Sequence, residues 1–120
     1  MWPASTDRGG ALHGVRVLDL TRVLAGPLCT QILSDHGADV IKVEPPAGDE
    51  TRQLGPPFDS RGEAAYFCAL NRGKRGMALD LSQPGEREVL HRLLADANVQ
   101  VEHCRPGTIE GRGMGYEDVP

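Results

Sequence analysis

The chain has 120 residues, enough for one small domain or part of a larger one. Its 13 Lys and Arg residues against 17 Asp and Glu residues give a formal net charge of −4, which argues against nucleic-acid binding. No apolar run could span a bilayer and no signal peptide is visible, so we expect no membrane association. Cys29, Cys68 and Cys104 have neither disulfide nor metal spacing, which indicates a reducing, cytoplasmic compartment.

The first half of the chain predicts a β-α-β unit. Residues 1–13 are small and polar, and we expect a flexible N-terminal arm. The β-branched and apolar run over 15–20 predicts a strand, and a helix should follow over 27–36, ended by Gly37. The nearly continuous apolar core of 38–44 predicts a second strand, buried on both faces and parallel to the first.

The second half continues the alternation of strands and helices. After a loop rich in proline and glycine, we expect a short helical stretch, a strand, an amphipathic helix, a strand and a brief helix, over 64–70, 77–81, 84–97, 98–102 and 108–113. This order predicts an α/β protein with an open parallel sheet. Four short strands without a closing helix form an incomplete sheet that requires more chain.

Two positions at the strand ends allow both a binding role and an ordinary structural one. The turn over 21–27 precedes a helix N-terminus, which can hold a phosphate or carboxylate, but it lacks the GxGxxG pattern of a dinucleotide site. An ordinary turn is the alternative. Glu44 could accept hydroxyl groups of a ribose or could be a solvated carboxylate.

Basic residues form a second candidate site. Arg72, Lys74 and Arg75 share one turn, and together with Arg52 they could hold phosphates. A solvated surface cluster is the alternative.

The remaining chemical candidates are weaker. His103 and Cys104 are neighbours on an extended segment, so their side chains should point to opposite faces, and we expect no nucleophile–base pair. Asp19, at the end of the first strand, is either a buried acid or the cap of the following turn.

Several collinear motifs between Leu12 and Val119 are typical of one family. They are GVRVLDLTRVLAGP at 14–27, GADVIKVEP at 37–45, GDETR at 48–52, NRGKR at 71–75, LDL at 79–81 and RPG at 105–107. The chain resembles the N-terminal segment of the family III coenzyme A transferases. That family includes formyl-CoA transferase, the carnitine CoA-transferase once called L-carnitine dehydratase, bile acid-inducible protein F and, in a racemase branch, α-methylacyl-CoA racemase.

The resemblance implies a fold and a coenzyme site. Residues 14–120 would be the N-terminal part of a large Rossmann-like domain. The family also has a smaller domain and forms an interlocked homodimer. Coenzyme A, a substrate rather than a permanently bound cofactor, would lie over the carboxyl edge of the sheet. The implied contacts are Val23, Leu24, Ala25, Leu79, Ser82, His103, Cys104 and Arg105, with Arg52, Lys74, Arg75 and Arg112 as weaker phosphate candidates.

The resemblance also implies a reaction in which an aspartate carboxylate attacks an acyl-CoA thioester and a free carboxylic acid finally accepts the coenzyme. No Asp in residues 1–120 matches that nucleophile. The family commonly has Asn-Phe where this chain has His103-Cys104, and an expected arginine falls on Gly111, beside Arg112.

Three alternatives to a transferase segment stay open. The racemase branch is disfavoured because the turns over 21–27 and 71–75 look more like the transferase branch. A truncated, non-catalytic remnant would bind nothing or pair with a longer homologue. A stand-alone nucleotide-binding module is the weakest alternative, because the glycine fingerprint is absent.

Overall fold

The computed structural model describes residues 2–4 and 8–119 and confirms the predicted α/β class. Four parallel strands form one sheet in the order β3-β2-β1-β4. Their bounds are Arg16–Asp19 for β1, Asp39–Glu44 for β2, Arg75–Ala78 for β3 and Val99–Val101 for β4.

The helices are α1 at Ala25–Asp35, α2 at Ala65–Leu70 and α3 at Pro84–Asp96, and short 3-10 turns cover Glu50–Gln53, Glu110–Arg112 and Tyr116–Asp118. The two predicted long helices therefore agree with α1 and α3 to within two residues at each end. Gly37 follows α1 with φ +101°, and a Cβ atom there would overlap the carbonyl oxygen of Gly9. In the described part of the chain, no helix is long and apolar enough to cross a membrane.

The third strand differs from its predicted position. The sequence predicts 77–81, whereas β3 pairs with β2 from Arg75 to Ala78. The chain turns away after Leu79 because the Asp80 carboxylate accepts hydrogen bonds from the backbone N–H and hydroxyl of Ser82. This local turn directs the chain into α3 and ends the strand early.

The strand order places a reversal beside β1. The chain winds from β1 through β2 to β3 on one side, then returns to place β4 on the other side of β1. In open α/β sheets, ligands bind beyond the carboxyl ends of the strands at such a reversal. The topology therefore predicts a ligand site at the segments that follow β1 and β4.

The core lies on both faces of the sheet. On one face, Leu90 and Leu93 of α3 pack with Leu18 and Ile41 of the sheet and with Met114. On the other face the buried cluster is smaller, consisting of Val17, Ala38 and Val40 with partly buried side chains around it. The α3 stripe is thus the main apolar contact, as the sequence pattern predicts.

Part of the predicted N-terminal arm contacts the sheet. The Trp2 indole N–H donates to a carboxylate oxygen of Asp39 at 2.7 Å, and Arg75 donates to the carbonyl oxygens of Pro3 and Ala4. The Leu12 N–H donates to the His36 carbonyl oxygen at 2.8 Å. Residues 1 and 5–7 of the predicted arm lie outside the described residues.

Candidate functional site

A cleft of about 1120 Å³ opens at the carboxyl edge of the sheet. The β1–α1 turn and the segments after β2, β3 and β4 form its walls. Arg112 lines the cleft, and so do all eight residues that the resemblance implies as principal contacts. These eight are Val23, Leu24, Ala25, Leu79, Ser82, His103, Cys104 and Arg105. The volume lies just above the range of roughly 300–1,000 Å³ for small-molecule sites, which suits a long ligand.

Asp19 anchors the turn that leaves β1. It is fully buried, and its carboxylate accepts hydrogen bonds from the Thr21 N–H at 2.8 Å and from the Thr30 hydroxyl at 2.6 Å. The Lys74 ammonium lies 3.1 Å from the same carboxylate. Asp19 is therefore both the buried acid and the cap of the turn that the sequence offered as alternatives.

Val23 has a strained backbone at the centre of this turn. Its φ is +69°, and within the described residues it is the one non-glycine residue with positive φ. For a β-branched residue this conformation is a clear outlier and costs about 1–3 kcal/mol. Such strain persists where surrounding contacts enforce it, and it is concentrated at functional sites.

Side chains from three other segments hold consecutive backbone groups of the turn. Lys42 donates to the Thr21 carbonyl oxygen at 3.0 Å. The Arg22 N–H donates to Nε2 of His103 at 3.1 Å, and the Val23 N–H donates to Asp49 at 3.3 Å. The neighbouring segments therefore supply the groups that hold this turn.

A buried ion pair supports this arrangement beneath the cleft. Nζ of Lys42 lies 3.0 Å from Oδ2 of Asp49, and the two side chains are 2% and 1% exposed. Burial raises the pKa of the Asp49 carboxyl, but hydrogen bonds from Thr51 and Lys42 outweigh burial, and the net pKa is below its usual value. Sequence reasoning missed this pair; the one available signal was a lysine in the middle of the apolar strand β2.

Glu44 is neither a free ribose acceptor nor a solvated carboxylate. It is buried, and Arg52 binds both of its oxygens at 2.8 Å, while the Asp49 N–H donates to it at 2.7 Å. Burial raises the pKa of Glu44, but the Arg52 contact and the Asp49 hydrogen bond lower it below its usual value. Glu44 therefore orders the loop after β2 through Arg52.

The predicted basic residues all form ion pairs with carboxylates of the chain. Lys74 is bound to Asp19 and is 2% exposed, and Arg75 binds Asp39 at 2.6 Å, away from the cleft. Arg52 also lies over the Phe67 ring, 3.8 Å from its centre. None of the three lines the cleft. Their charges are compensated by carboxylates, so their contacts do not support a phosphate role. Arg72, the fourth member of the cluster, pairs with Asp35 at 2.8 Å.

Exposed positive charge remains at the rim of the cleft. The Arg22 side chain is 74% exposed and pairs with the Glu50 carboxylate at 3.6 Å, and Arg105 and Arg112 are also exposed. Leu24, the N-cap residue of α1, offers no side-chain cap, and α1 begins at the cleft wall. Uncapped N–H groups and the helix dipole favour an anion at this position.

The contacts of His103 and Cys104 do not suit a nucleophile–base pair. The His103 ring accepts a hydrogen bond from the β1–α1 turn. Burial, together with the nearby Glu102 carboxylate, raises the pKa of the Cys104 thiol. A thiol with a raised pKa is a poor nucleophile at neutral pH, since the thiolate is the reactive form.

Comparison with known proteins identifies the family of this chain. The model of CoA-transferase family III matches residues 12–120. The chain is 50% identical over 109 residues to the succinyl-CoA:glutarate CoA-transferase of Mus musculus, covering 90% of this chain and 25% of that protein. It is 51% identical over 112 residues to the succinyl-CoA:mesaconate CoA-transferase of Haloarcula hispanica, covering 90% and 28%.

A solved structure has the same fold. A CAIB/BAIF family protein from Brucella suis superposes with a TM-score of 0.87 at 47% identity, over 92% of this chain and 30% of that one. The chain belongs to CoA-transferase family III. It spans between a quarter and a third of the length of the relatives named here.

Proposed function

We propose that this chain forms the coenzyme A-binding part of a CoA transferase that moves the coenzyme from an acyl-CoA to a free carboxylic acid. The observation that carries the proposal is the cleft at the reversal point of the sheet, whose walls include residues 21–25 of the motif at 14–27 and Arg105 of the RPG motif. The relatives from Mus musculus and Haloarcula hispanica are CoA-transferases, which favours this branch over the racemases.

The chemistry of the cleft suits the two ends of coenzyme A. The N-terminus of α1 and the exposed side chains of Arg22, Arg105 and Arg112 would attract the phosphates. Leu24, Leu79 and Ile109 give the cleft apolar surface for the adenine ring or the pantetheine arm.

For the transfer itself, we propose a covalent route with a nucleophile outside these 120 residues. An aspartate carboxylate would attack the thioester carbonyl, and expulsion of the coenzyme thiolate would leave a mixed anhydride. The thiolate would then attack the aspartyl carbonyl and release the first carboxylate, and the acceptor acid would reverse both steps. The carboxylates of Glu44 and Asp49 are buried in ion pairs, which argues against either as this nucleophile.

Coenzyme binding tests the proposal directly. Calorimetric titration of the chain with coenzyme A should show weak binding that falls as salt is raised, since exposed charges are screened within about 8 Å at physiological ionic strength. Arg105→Gln should weaken binding severalfold, whereas Arg61→Gln, which removes an exposed arginine outside the cleft, should not. Binding that Arg105→Gln leaves unchanged would contradict the proposal.

The reaction is tested separately. Mixed with acyl-CoA donors and free carboxylic acids, the 120-residue chain should give no exchange by mass spectrometry, because the nucleophile is absent. Turnover above a buffer blank, from protein free of a full-length host homologue, would show that a carboxylate of this chain does the chemistry.

A further inference from the structure

Asp49 has contacts that fix both of its carboxylate oxygens. Oδ1 accepts hydrogen bonds from the N–H and the hydroxyl of Thr51, at 2.9 and 2.8 Å. Oδ2 lies 3.0 Å from Nζ of Lys42 and accepts the Val23 N–H at 3.3 Å. The carboxylate therefore cannot turn without breaking several bonds.

These contacts reach the one strained residue of the cleft wall. Lys42 and His103 hold the carbonyl of Thr21 and the N–H of Arg22, but Asp49 alone among them contacts Val23 itself. A β-branched residue at φ +69° returns to an extended or helical conformation unless an outside group prevents it. Asp49 supplies that group, and Lys42 places a positive charge against it inside the fold.

We propose that Asp49, held by Lys42, is a positioning residue that keeps Val23 in its left-handed conformation and so presents Val23, Leu24 and Ala25 to coenzyme A before it binds. The proposal rests on the coenzyme-binding function proposed above. Its physical basis is preorganisation: a turn that is already ordered loses less conformational entropy when the ligand arrives.

A double-mutant cycle with a glycine separates this role from a general structural one. Asp49→Asn keeps the shape of the side chain but removes the charge that Lys42 and the Val23 N–H contact. Val23→Gly permits positive φ without support. Because Val23→Gly also deletes a proposed ligand contact, the informative quantity is the effect of Asp49→Asn in each background.

The effect of Asp49→Asn on the Kd for coenzyme A should depend strongly on the residue at position 23. By equilibrium dialysis with labelled coenzyme A, Asp49→Asn should raise the Kd roughly tenfold or more in the original background, as expected for loss of a hydrogen bond to a charged group. In the Val23→Gly background the same change should cost less than about threefold. An equal loss in both backgrounds would overturn the proposal.

Asp39→Asn is the matched control. Asp39 also binds a cation, Arg75, but it lies at the start of β2, and within the described residues its side-chain hydrogen bonds go to Arg75 and Trp2. Because Asp39 is distant from the turn, its substitution should change the Kd for coenzyme A less than twofold. If Asp49→Asn does not fold, Thr51→Val takes its place: it removes one bond that orients Asp49, and Val23→Gly should again reduce its effect.

Amide hydrogen exchange tests the role of Asp49 without coenzyme A, and therefore independently of the proposed binding function. Asp49→Asn should speed amide exchange in peptides covering 20–28 at least about tenfold, since the Val23 N–H loses its acceptor. Asp39→Asn should not. If the unchanged chain binds no coenzyme, the proposed function fails while exchange still decides the role of Asp49. Unaltered exchange in the Asp49 variant would overturn the inference.

Discussion

Lys42 is a buried cation that contacts the cleft wall. Its Nζ is shared by the Asp49 carboxylate and the Thr21 carbonyl oxygen, both at 3.0 Å. A buried pair of this kind contributes little relative to an apolar pair, but removing one partner leaves an uncompensated charge. The integrity of the β1–α1 turn therefore depends on both members being present.

Replacement of Lys42 tests this dependence. Lys42→Met should lower the free energy of unfolding by about 3–5 kcal/mol, because Asp49 stays buried without its cation. The double variant Lys42→Met with Asp49→Asn should be less destabilised than Lys42→Met alone. Urea denaturation followed by circular dichroism gives both values, and additive losses would contradict the coupling.

The carboxylates of Glu44 and Asp49 make stability depend on pH. The native pKa of each lies below its usual value, so the unfolded chain binds more protons at acidic pH. Their stabilisation is complete above the unfolded pKa of about 4 and is lost as pH falls through the native pKa. Urea midpoints measured from pH 6 to pH 3 should fall, and Asp49→Asn should flatten that slope. An unchanged slope in the variant would contradict this assignment.

At the scale of helices and strands, the sequence predicts the features that depend on local patterns and misses those that depend on distant contacts. The apolar pattern of β2, the stripe of α3 and Gly37 after α1 are local signals, and the structure follows them. The position of β3 was predicted wrongly, because hydrogen bonds from Ser82 to the Asp80 carboxylate form a turn that ends the strand early. The positive φ of Val23 could not be predicted, since the groups that hold Val23 and its neighbour Arg22 lie 26 and 81 residues away along the chain.

Replacement of glycine by alanine should have opposite effects on the free energy of unfolding at Gly37 and at Gly85. Gly37→Ala should lower the free energy of unfolding by about 2 kcal/mol or more, because φ is +101° and a Cβ would overlap Gly9. Gly85→Ala lies in the first turn of α3 with open space around it and should stabilise by about 0.5–1 kcal/mol. Thermal and urea denaturation of both variants measure the difference, and similar effects would contradict the account.

At the scale of the whole molecule, one apolar row is left exposed. Leu24, the N-cap residue of α1, is followed at every fourth residue by Leu28 and Ile32 of the helix, and the three are 48%, 46% and 50% exposed. The sheet also ends in two edge strands, β3 and β4. Exposed apolar rows and free strand edges favour association.

The chain should therefore self-associate. Light scattering with chromatography over a tenfold concentration range should show species larger than 12.9 kDa. Lys substitutions at Leu28 and Ile32 should reduce association, whereas Lys at the exposed positions Glu88 and Ala95 of α3 should not. A sharp monomer peak with a cooperative melt would show a self-sufficient domain.

The location of bound coenzyme A tests the central claim most directly. Hydrogen exchange of the unchanged chain, with and without saturating coenzyme A, reports which backbone segments the ligand protects. The account predicts protection over 20–28 and 103–112, the walls of the cleft, with little change over 71–76, where the basic side chains are paired. Protection over 71–76 without any over 20–28 would contradict it.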